Sequence, residues 1–155
     1  MRGRPSGRRV GHPAGGLPPL MRAAAVGAAG RAGAVQRLAV TPLTPASFAP
    51  FGQVVRAIDD HVEFGPDAAQ LELSRGTPRF YIMRLPGRGL AFSQITHHKE
   101  CTQCLGALGQ EPWYMAVAPP GTTPGADTLR AFEVPPGTFL CAPRGAADRR
   151  RRAAA

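Results

Sequence analysis

The sequence predicts an all-β fold from three observations. Short stretches rich in aromatic and β-branched residues recur along the chain. Pro and Gly residues separate them at intervals of roughly eight to twelve residues, the spacing of short strands joined by turns. Hardly any segment repeats its apolar residues with the period of a helix. A sandwich or small barrel of about seven strands is therefore expected, in a single domain for a chain of 155 residues.

The strand predictions follow from local patterns between residues 38 and 141. Thr44 suits the N-cap of a short helical turn, with Pro45 at its first position and Phe48 facing inward. Residues 113–118 give the strongest strand pattern, and 61–78 is predicted as a loop. The predicted strands are 38–40, 53–58, 79–85, 90–96, 101–108, 113–118, 129–134 and 138–141.

The positive charge is concentrated at the two ends of the chain. Nineteen basic residues against ten acidic residues give a formal net charge of +9. Residues 1–35 carry six Arg and no acid, and residues 144–155 carry five Arg and one Asp. Residues 36–143 are therefore nearly neutral, with eight basic and nine acidic groups. Nucleic-acid binding through the tails is a minor alternative, and we expect no nucleic-acid partner.

Composition predicts a domain between two disordered segments. Residues 1–35 hold eight Gly, eight Ala and four Pro, which predicts a disordered basic extension or a transit peptide. Residues 36–141 form the predicted domain. Residues 142–155 have no apolar periodicity and include four consecutive Arg, so we expect a disordered Arg-rich tail.

The expected surroundings of the protein follow from the same composition. No apolar run approaches the roughly 18 residues that cross a bilayer, so we expect no membrane partner. Three cysteines are too few, and odd in number, for a disulfide framework, which favours a reducing compartment. We expect a cytoplasmic location, or an organellar one if residues 1–35 act as a transit peptide.

Residues 92–118 concentrate the residue types that carry chemistry. This stretch holds two of the four His, two of the three Cys and the single Trp. A tetrahedral zinc site made by His97, His98, Cys101 and Cys104 is one interpretation, because imidazole and thiolate are ligands that zinc prefers. The spacing disfavours it, since close neighbours on a strand point to opposite faces. His97 and His98 are likewise expected to face different sides.

Several separated blocks of the sequence resemble the ureidoglycolate lyase family, formerly called ureidoglycolate hydrolases, in its plant and algal form. The resemblance covers about residues 36–141, and blocks that follow in the right order carry more weight than a single short motif. The blocks are PLTPASF at 42–48, FGQVV at 51–55, FYIMR at 80–84, QITHH at 94–98, TQCLG at 102–106, WYMAVA at 113–118 and LRAF at 129–132.

The resemblance implies a fold, a reaction and a set of site residues. It implies a cupin-like double-stranded β-helix, usually a homodimer, that splits ureidoglycolate into glyoxylate and urea in allantoin catabolism. This reaction needs a base for the hydroxyl proton, an acid or electrophile for the urea nitrogen, and a cation for the carboxylate. His98 is the implied base, and Gln103 is the implied donor. Thr102 would orient the substrate, and Arg84 or, less favourably, Lys99 would hold its carboxylate.

The C-terminus departs from the family pattern. After Leu140, family members continue with a His-containing segment that supplies the last strand and part of the pocket. Here residues 141–155 contain no His. We therefore expect an incomplete barrel with little or no lyase activity. The resemblance suggests a divalent metal of unspecified identity, for which this chain would have too few ligands. The alternative is a non-catalytic cupin-like protein that binds a small carboxylate or forms oligomers.

Overall fold

The computed structural model describes residues 20–24, 35–65, 67–125 and 127–151, with the backbone alone described for 20–24 and 151. Within these ranges the protein is nearly all β, which confirms the predicted class. The elements are β1 Leu20–Ala24, β2 Val35–Pro42, α1 Pro45–Phe48, β3 Gln53–Val55, β4 Ala91–Phe92, β5 Thr96–His97, β6 Gln103–Gly106, β7 Trp113–Ala118, β8 Arg130–Val134, β9 Phe139–Ala142 and β10 Ala147–Arg151.

The strands form two sheets. A mixed seven-stranded sheet has the order β4-β1-β2-β8-β7-β10-β5, and an antiparallel three-stranded sheet has the order β3-β9-β6. In the larger sheet β2 runs parallel to β8 and β1 runs parallel to β4, while the remaining neighbours are antiparallel. Among the described strands, neither sheet closes into a barrel.

The main core fills the space where the two sheets and α1 meet. Three aromatic rings lie at its centre: Phe132 makes edge contacts with Phe48 and Phe51, at centroid distances of 5.3 and 5.5 Å. The smaller sheet contributes Leu105 and Leu140 to this cluster. Successive side chains of β7 alternate between the main core and a second cluster on the other face of the large sheet. All six residues of β7 are therefore buried.

The start of the domain matches the local predictions. The Thr44 hydroxyl accepts a hydrogen bond from the Ser47 backbone N–H, and the Ser47 hydroxyl accepts one from Thr44 N in return, both at 3.0 Å. This reciprocal capping satisfies backbone donors that the first helical turn leaves free. Pro45 occupies the start of the helix and Phe48 is fully buried. These predictions are confirmed.

The predicted strand at 79–85 is wrong. This segment contains no strand, and its side chains lie outside the core, with Phe80 93% and Ile82 73% exposed. The neighbouring prediction at 90–96 is confirmed only at its two ends, in β4 and β5. Strand propensity reports how well a residue suits a pleated surface, and here no neighbouring strand provides that surface.

The predicted disorder of residues 142–155 is wrong for β10. This strand pairs with β7 over five residues, from the pair Ala147 and Ala118 to the pair Arg151 and Tyr114. It also pairs with β5. Backbone hydrogen bonds hold it, since a sheet edge has N–H and C=O groups that need partners. Ala147 and Asp148 are the residues of β10 that the sheet buries.

The predicted disorder of residues 1–35 is likewise corrected at β1. The backbone of this strand lies between β2 and β4, with Leu20 opposite Ala39 and Ala24 opposite Val35. Residues 1–19 and 25–34 lie outside the described residues. The correction has the same physical basis as that at β10, because pairing of the backbone places little demand on side-chain composition.

Replacing Phe132 by alanine tests the central position of the aromatic cluster. Phe132→Ala should lower the free energy of unfolding by about 3–5 kcal/mol, because it leaves a cavity between two other rings. Phe64→Ala is the matched control, and its effect should stay within about 0.5 kcal/mol, since that ring is 71% exposed. Urea unfolding of the two variants and the parent measures both values. Equal losses in the two variants would contradict this core.

Candidate functional site

A cavity of about 320 Å³ lies between residues 83–88 and the strands β5 and β10. Its lining combines three arginines and one carboxylate with three apolar side chains and a hydroxyl. The lining residues are Met83, Leu85, Pro86, Arg88, Thr96, Asp148, Arg149 and Arg150. The charge of this cavity is therefore mainly positive, which favours an anionic ligand of modest size.

Asp148 is the buried charged residue of this cavity. It lies on β10 opposite Val117 on one side and Thr96 on the other, and only 2% of its surface is exposed. Its Oδ2 atom is buried without a hydrogen-bond partner. An ionised carboxylate is costly to bury in this way unless a donor reaches it. This oxygen therefore stays without a donor, and His98 Nε2 lies 3.6 Å from it.

His98 directly follows β5 in the sequence, and its side chain lies beside that of Asp148. Its Nε2 atom is 3.6 Å from Asp148 Oδ2, and Nε2 is itself buried without a hydrogen bond. The backbone holds His98 in place, because its N–H donates to Ala146 O at 3.3 Å and its C=O accepts from Gly145 N at 2.7 Å. The ring of His97 instead bonds Gly145 O at 2.9 Å. The two histidines thus reach different partners.

Burial and nearby charges act on Asp148 in opposite directions. Burial raises the pKa of the Asp148 carboxyl, while the positive charges of His98, Arg150 and Arg149 act to lower this pKa. The effect of burial is the larger, so the pKa lies above its ordinary value. A carboxyl group in this state can exchange protons closer to neutral pH than an exposed aspartate.

The five residues implied by the resemblance do not assemble at this cavity. His98 follows β5 of the large sheet, whereas Gln103 begins β6 of the small sheet. Within the described ranges, no hydrogen bond or ion pair joins any two of the five, and none of them lines the cavity. Arg84 and Lys99 are exposed.

Thr102 and Gln103 have structural surroundings instead. Thr102 is buried, and its hydroxyl accepts from Glu72 N at 2.8 Å while its own N–H donates to Glu72 O at 3.2 Å. Thr102 therefore holds the irregular segment around Glu72 against the small sheet. Gln103 is half-buried, and its Oε1 atom is buried without a hydrogen-bond partner.

Four residues that line the cavity are not among the site residues predicted from the sequence: Asp148, Arg88, Arg149 and Arg150. Asp148 is the single acid among five arginines in residues 144–155, which is a signal of a specific role in an otherwise basic segment. Two neutral alanines precede it, so the local pattern Ala-Ala-Asp also marks the point where the segment becomes buried. Neither signal enters the prediction, because residues 142–155 are predicted to be disordered.

Metal ligands are not grouped in the described part of the chain. No set of three His, Cys, Asp or Glu side chains lies close enough together there to hold a metal ion. This applies to the zinc interpretation of His97, His98, Cys101 and Cys104, and to the divalent metal suggested by the resemblance. The donors present do not fit such a group.

The class of protein defined by these observations is a two-sheet β protein with an arginine-lined cavity around a buried aspartate. Compared with protein-family models and with curated protein sequences, the chain gives no match. No helix in the described ranges is long and apolar enough to cross a bilayer.

Replacing Asp148 by asparagine tests the raised pKa. Between the ordinary aspartate pKa of about 4 and the raised value, the folded protein binds more protons than the unfolded chain. The stability of the parent should therefore fall as pH rises through this window. Asp148→Asn removes that dependence, so it should become increasingly stable relative to the parent from about pH 4 upward. Thermal unfolding across this pH range measures the difference, and a constant difference would contradict a raised pKa.

Proposed function

We propose that this chain is a ureidoglycolate lyase-like protein that holds a small ureide acid in the arginine-lined cavity. One observation carries the proposal: three arginines and the carboxyl-bearing Asp148 line one cavity of about 320 Å³. Guanidinium groups bind carboxylates in bidentate pairs. Asp148 in the lining favours a ligand that also carries an N–H or O–H group. Ureidoglycolate carries a carboxylate together with both kinds of donor.

The proposed reaction breaks the C–N bond of a carbinolamide. A base removes the hydroxyl proton, the electrons of that O–H bond form the C=O bond of glyoxylate, and the C–N electrons leave with the urea nitrogen. That nitrogen takes up a proton to give urea. Asp148 is the base in this proposal, because it lines the cavity and burial raises the pKa of its carboxyl above the ordinary value.

His98 acts through Asp148 as a positioning residue. At 3.6 Å from Asp148 Oδ2, its protonated ring would favour the carboxylate form and help to hold its orientation. The resemblance implies His98 as the base, whereas this proposal gives that role to Asp148, which lines the cavity. Arg88, Arg149 and Arg150 take the carboxylate-binding role that the resemblance gives to Arg84 or Lys99.

The cupin-like architecture and the homodimer belong to the same proposal. Two β-sheets that share one core support a cupin-like arrangement. The exposed apolar side chains of Phe80, Tyr81 and Ile82 support association with a second copy, since such patches often mark protein interfaces. A monomer in sedimentation velocity would remove the dimer from the proposal.

The cytoplasmic or organellar location is part of the same proposal. Fractionation of cells that express the tagged protein tests this location.

A non-catalytic carboxylate-binding protein is the second candidate. The observation that favours it is the lining of the cavity, in which Asp148 is accompanied by arginines and by no second acid or base. Arginine does not release its proton in proteins, so it is a poor proton donor to the leaving urea nitrogen. Such a protein would bind the ureide acid without cleaving it.

Glyoxylate release and ligand-induced stabilisation separate the two candidates. The absence of a C-terminal His segment predicts little activity, but with Asp148 as the base the full chain should be stabilised by ureidoglycolate and should release glyoxylate. Asp148→Asn should lower that release by about 10²–10⁴-fold, the usual contribution of a general base. Asp59→Asn, at an exposed aspartate outside the cavity, is the control and should be unchanged. Stabilisation without glyoxylate would favour the second candidate, and the absence of both would refute the proposed function.

The carboxylate-binding arginine can be identified by a matched pair of variants. Arg88→Ala should weaken binding of ureidoglycolate about tenfold or more, because a charge-assisted hydrogen bond contributes about 1.5–3 kcal/mol. Arg84→Ala, four residues earlier and outside the lining, should change the affinity by about twofold or less. Isothermal titration calorimetry measures both. A larger loss of affinity in Arg84→Ala than in Arg88→Ala would instead assign carboxylate binding to Arg84, as the resemblance implies.

A further inference from the structure

Two free cysteines face each other in the three-stranded sheet. Cys104 on β6 is the direct antiparallel partner of Cys141 on β9. Directly opposed residues on antiparallel strands have Cα atoms about 4.5–5.5 Å apart and side chains on the same face. A disulfide requires a Cα separation of about 4.4–6.8 Å. The backbone register therefore already provides the spacing of a disulfide.

The two thiols lie on the face of the small sheet that points away from the main core. The next pair in the register, Leu105 and Leu140, is buried in that core, so by the two-residue period of a strand the cysteines face the other way. There Cys141 Sγ lies 3.8 Å from Gln70 O, so its one S–H can donate either to this carbonyl or to Cys104. Cys141 is only 2% exposed, whereas Cys104 is exposed to solvent.

A small oxidant can reach this pair through Cys104. The Cys104 thiol is open to solvent, and Cys141 lines a separate cavity of about 220 Å³. This cavity is distinct from the arginine-lined cavity and shares none of its residues; it is lined by Ala49, Gly52, Gln53, Gln70, Cys141 and Pro143. The pair thus combines one accessible sulfur with one sheltered sulfur, an arrangement found where an attacking thiol is followed by a resolving thiol.

We propose that Cys104 and Cys141 form an oxidation-sensitive pair, which a peroxide converts into a disulfide linking β6 to β9. The Cys104 thiolate attacks one peroxide oxygen, the O–O bond breaks, and hydroxide leaves and is protonated to water. Cys104 is then a sulfenic acid. The Cys141 thiol attacks this sulfur, the S–S bond forms, and the sulfenic oxygen leaves as a second water. Two thiols are oxidised and one peroxide is reduced.

The division of roles between the two sulfurs has electrostatic support. A hydrogen bond from the Cys141 thiol lowers the pKa of Cys104 to about 7, while burial acts in the opposite direction. The pKa of Cys141 is raised, because its thiol serves as that donor and is partly desolvated. Cys104 is therefore substantially thiolate near neutral pH, and the thiolate is the form that reacts with peroxide.

Cys101 is the competing partner and is disfavoured by distance. It lies three residues before Cys104, and three residues of extended chain span about 10 Å, which exceeds the reach of a disulfide. Between them, Thr102 is fixed by its two hydrogen bonds to Glu72, so moving Cys101 toward Cys104 would break these contacts. The cross-strand pair needs no such rearrangement.

Peroxide treatment of the full chain tests this proposal. Reduced protein is exposed to hydrogen peroxide, the remaining thiols are alkylated under denaturing conditions, and peptides are mapped by mass spectrometry. We expect a Cys104–Cys141 disulfide, an alkylated Cys101, and complete reversal by a thiol reductant. The melting temperature of the oxidised protein should rise, because the cross-link restricts the unfolded chain.

Two serine variants make the result specific. Cys101→Ser should form the same disulfide at the same rate as the parent, whereas Cys104→Ser should form none. Cys104→Ser replaces an exposed side chain, so it should keep the parent's melting temperature in reductant. A Cys101–Cys104 disulfide, or two unmodified thiols at positions 104 and 141 after treatment, would overturn the proposal.

Discussion

The burial of β7 on both faces is the constraint on which the rest of the structure depends. Trp113, Met115 and Val117 pack into the core between the sheets, while the three intervening side chains pack into the cluster on the other face. Such a strand has no solvated face, so its backbone groups on both edges need partners. β8 occupies one edge and β10 occupies the other. The strand of highest apolar content thus requires a neighbour whatever the composition of that neighbour.

The candidate site is a consequence of this requirement. Pairing with β7 draws β10 into the sheet, and the register sets Asp148 opposite Val117 and Thr96. The carboxylate is consequently buried beside His98, and the adjacent arginines line the same cavity. Backbone pairing therefore determines the surroundings of the carboxylate, and those surroundings raise its pKa. A basic segment with little hydrophobic character thus contributes residues to the cavity through the strand that it completes.

The parts of the fold that could be predicted from sequence are those decided by local chemistry. The cap at Thr44 and the strand β7 depend on neighbouring residues, and both match the prediction. β10 could not be predicted, because its pairing is made with residues about 30 positions away and leaves no apolar periodicity. The strand predicted at 79–85 is wrong for the converse reason. Its residues favour a strand, but no neighbouring strand in the described part of the chain pairs with them. His98 could be singled out by its type and motif, whereas Asp148 acquires its character only from pairing.

The two candidate chemical sites lie on different sheets and are joined by two short connections. Residues 143–146 link β9 to β10, and residues 98–102 link β5 to β6. At one end His98 exchanges backbone hydrogen bonds with Gly145 and Ala146, beside Asp148. At the other end Thr102 is tied to Glu72 and leads directly into β6, which carries Cys104. Packed elements of this kind transmit a change only if the element between them has two arrangements. Oxidation of the thiol pair can therefore affect the cavity only if residues 98–102 or residues 143–146 shift, which would move His98 or β10. With both connections stationary the two sites act independently.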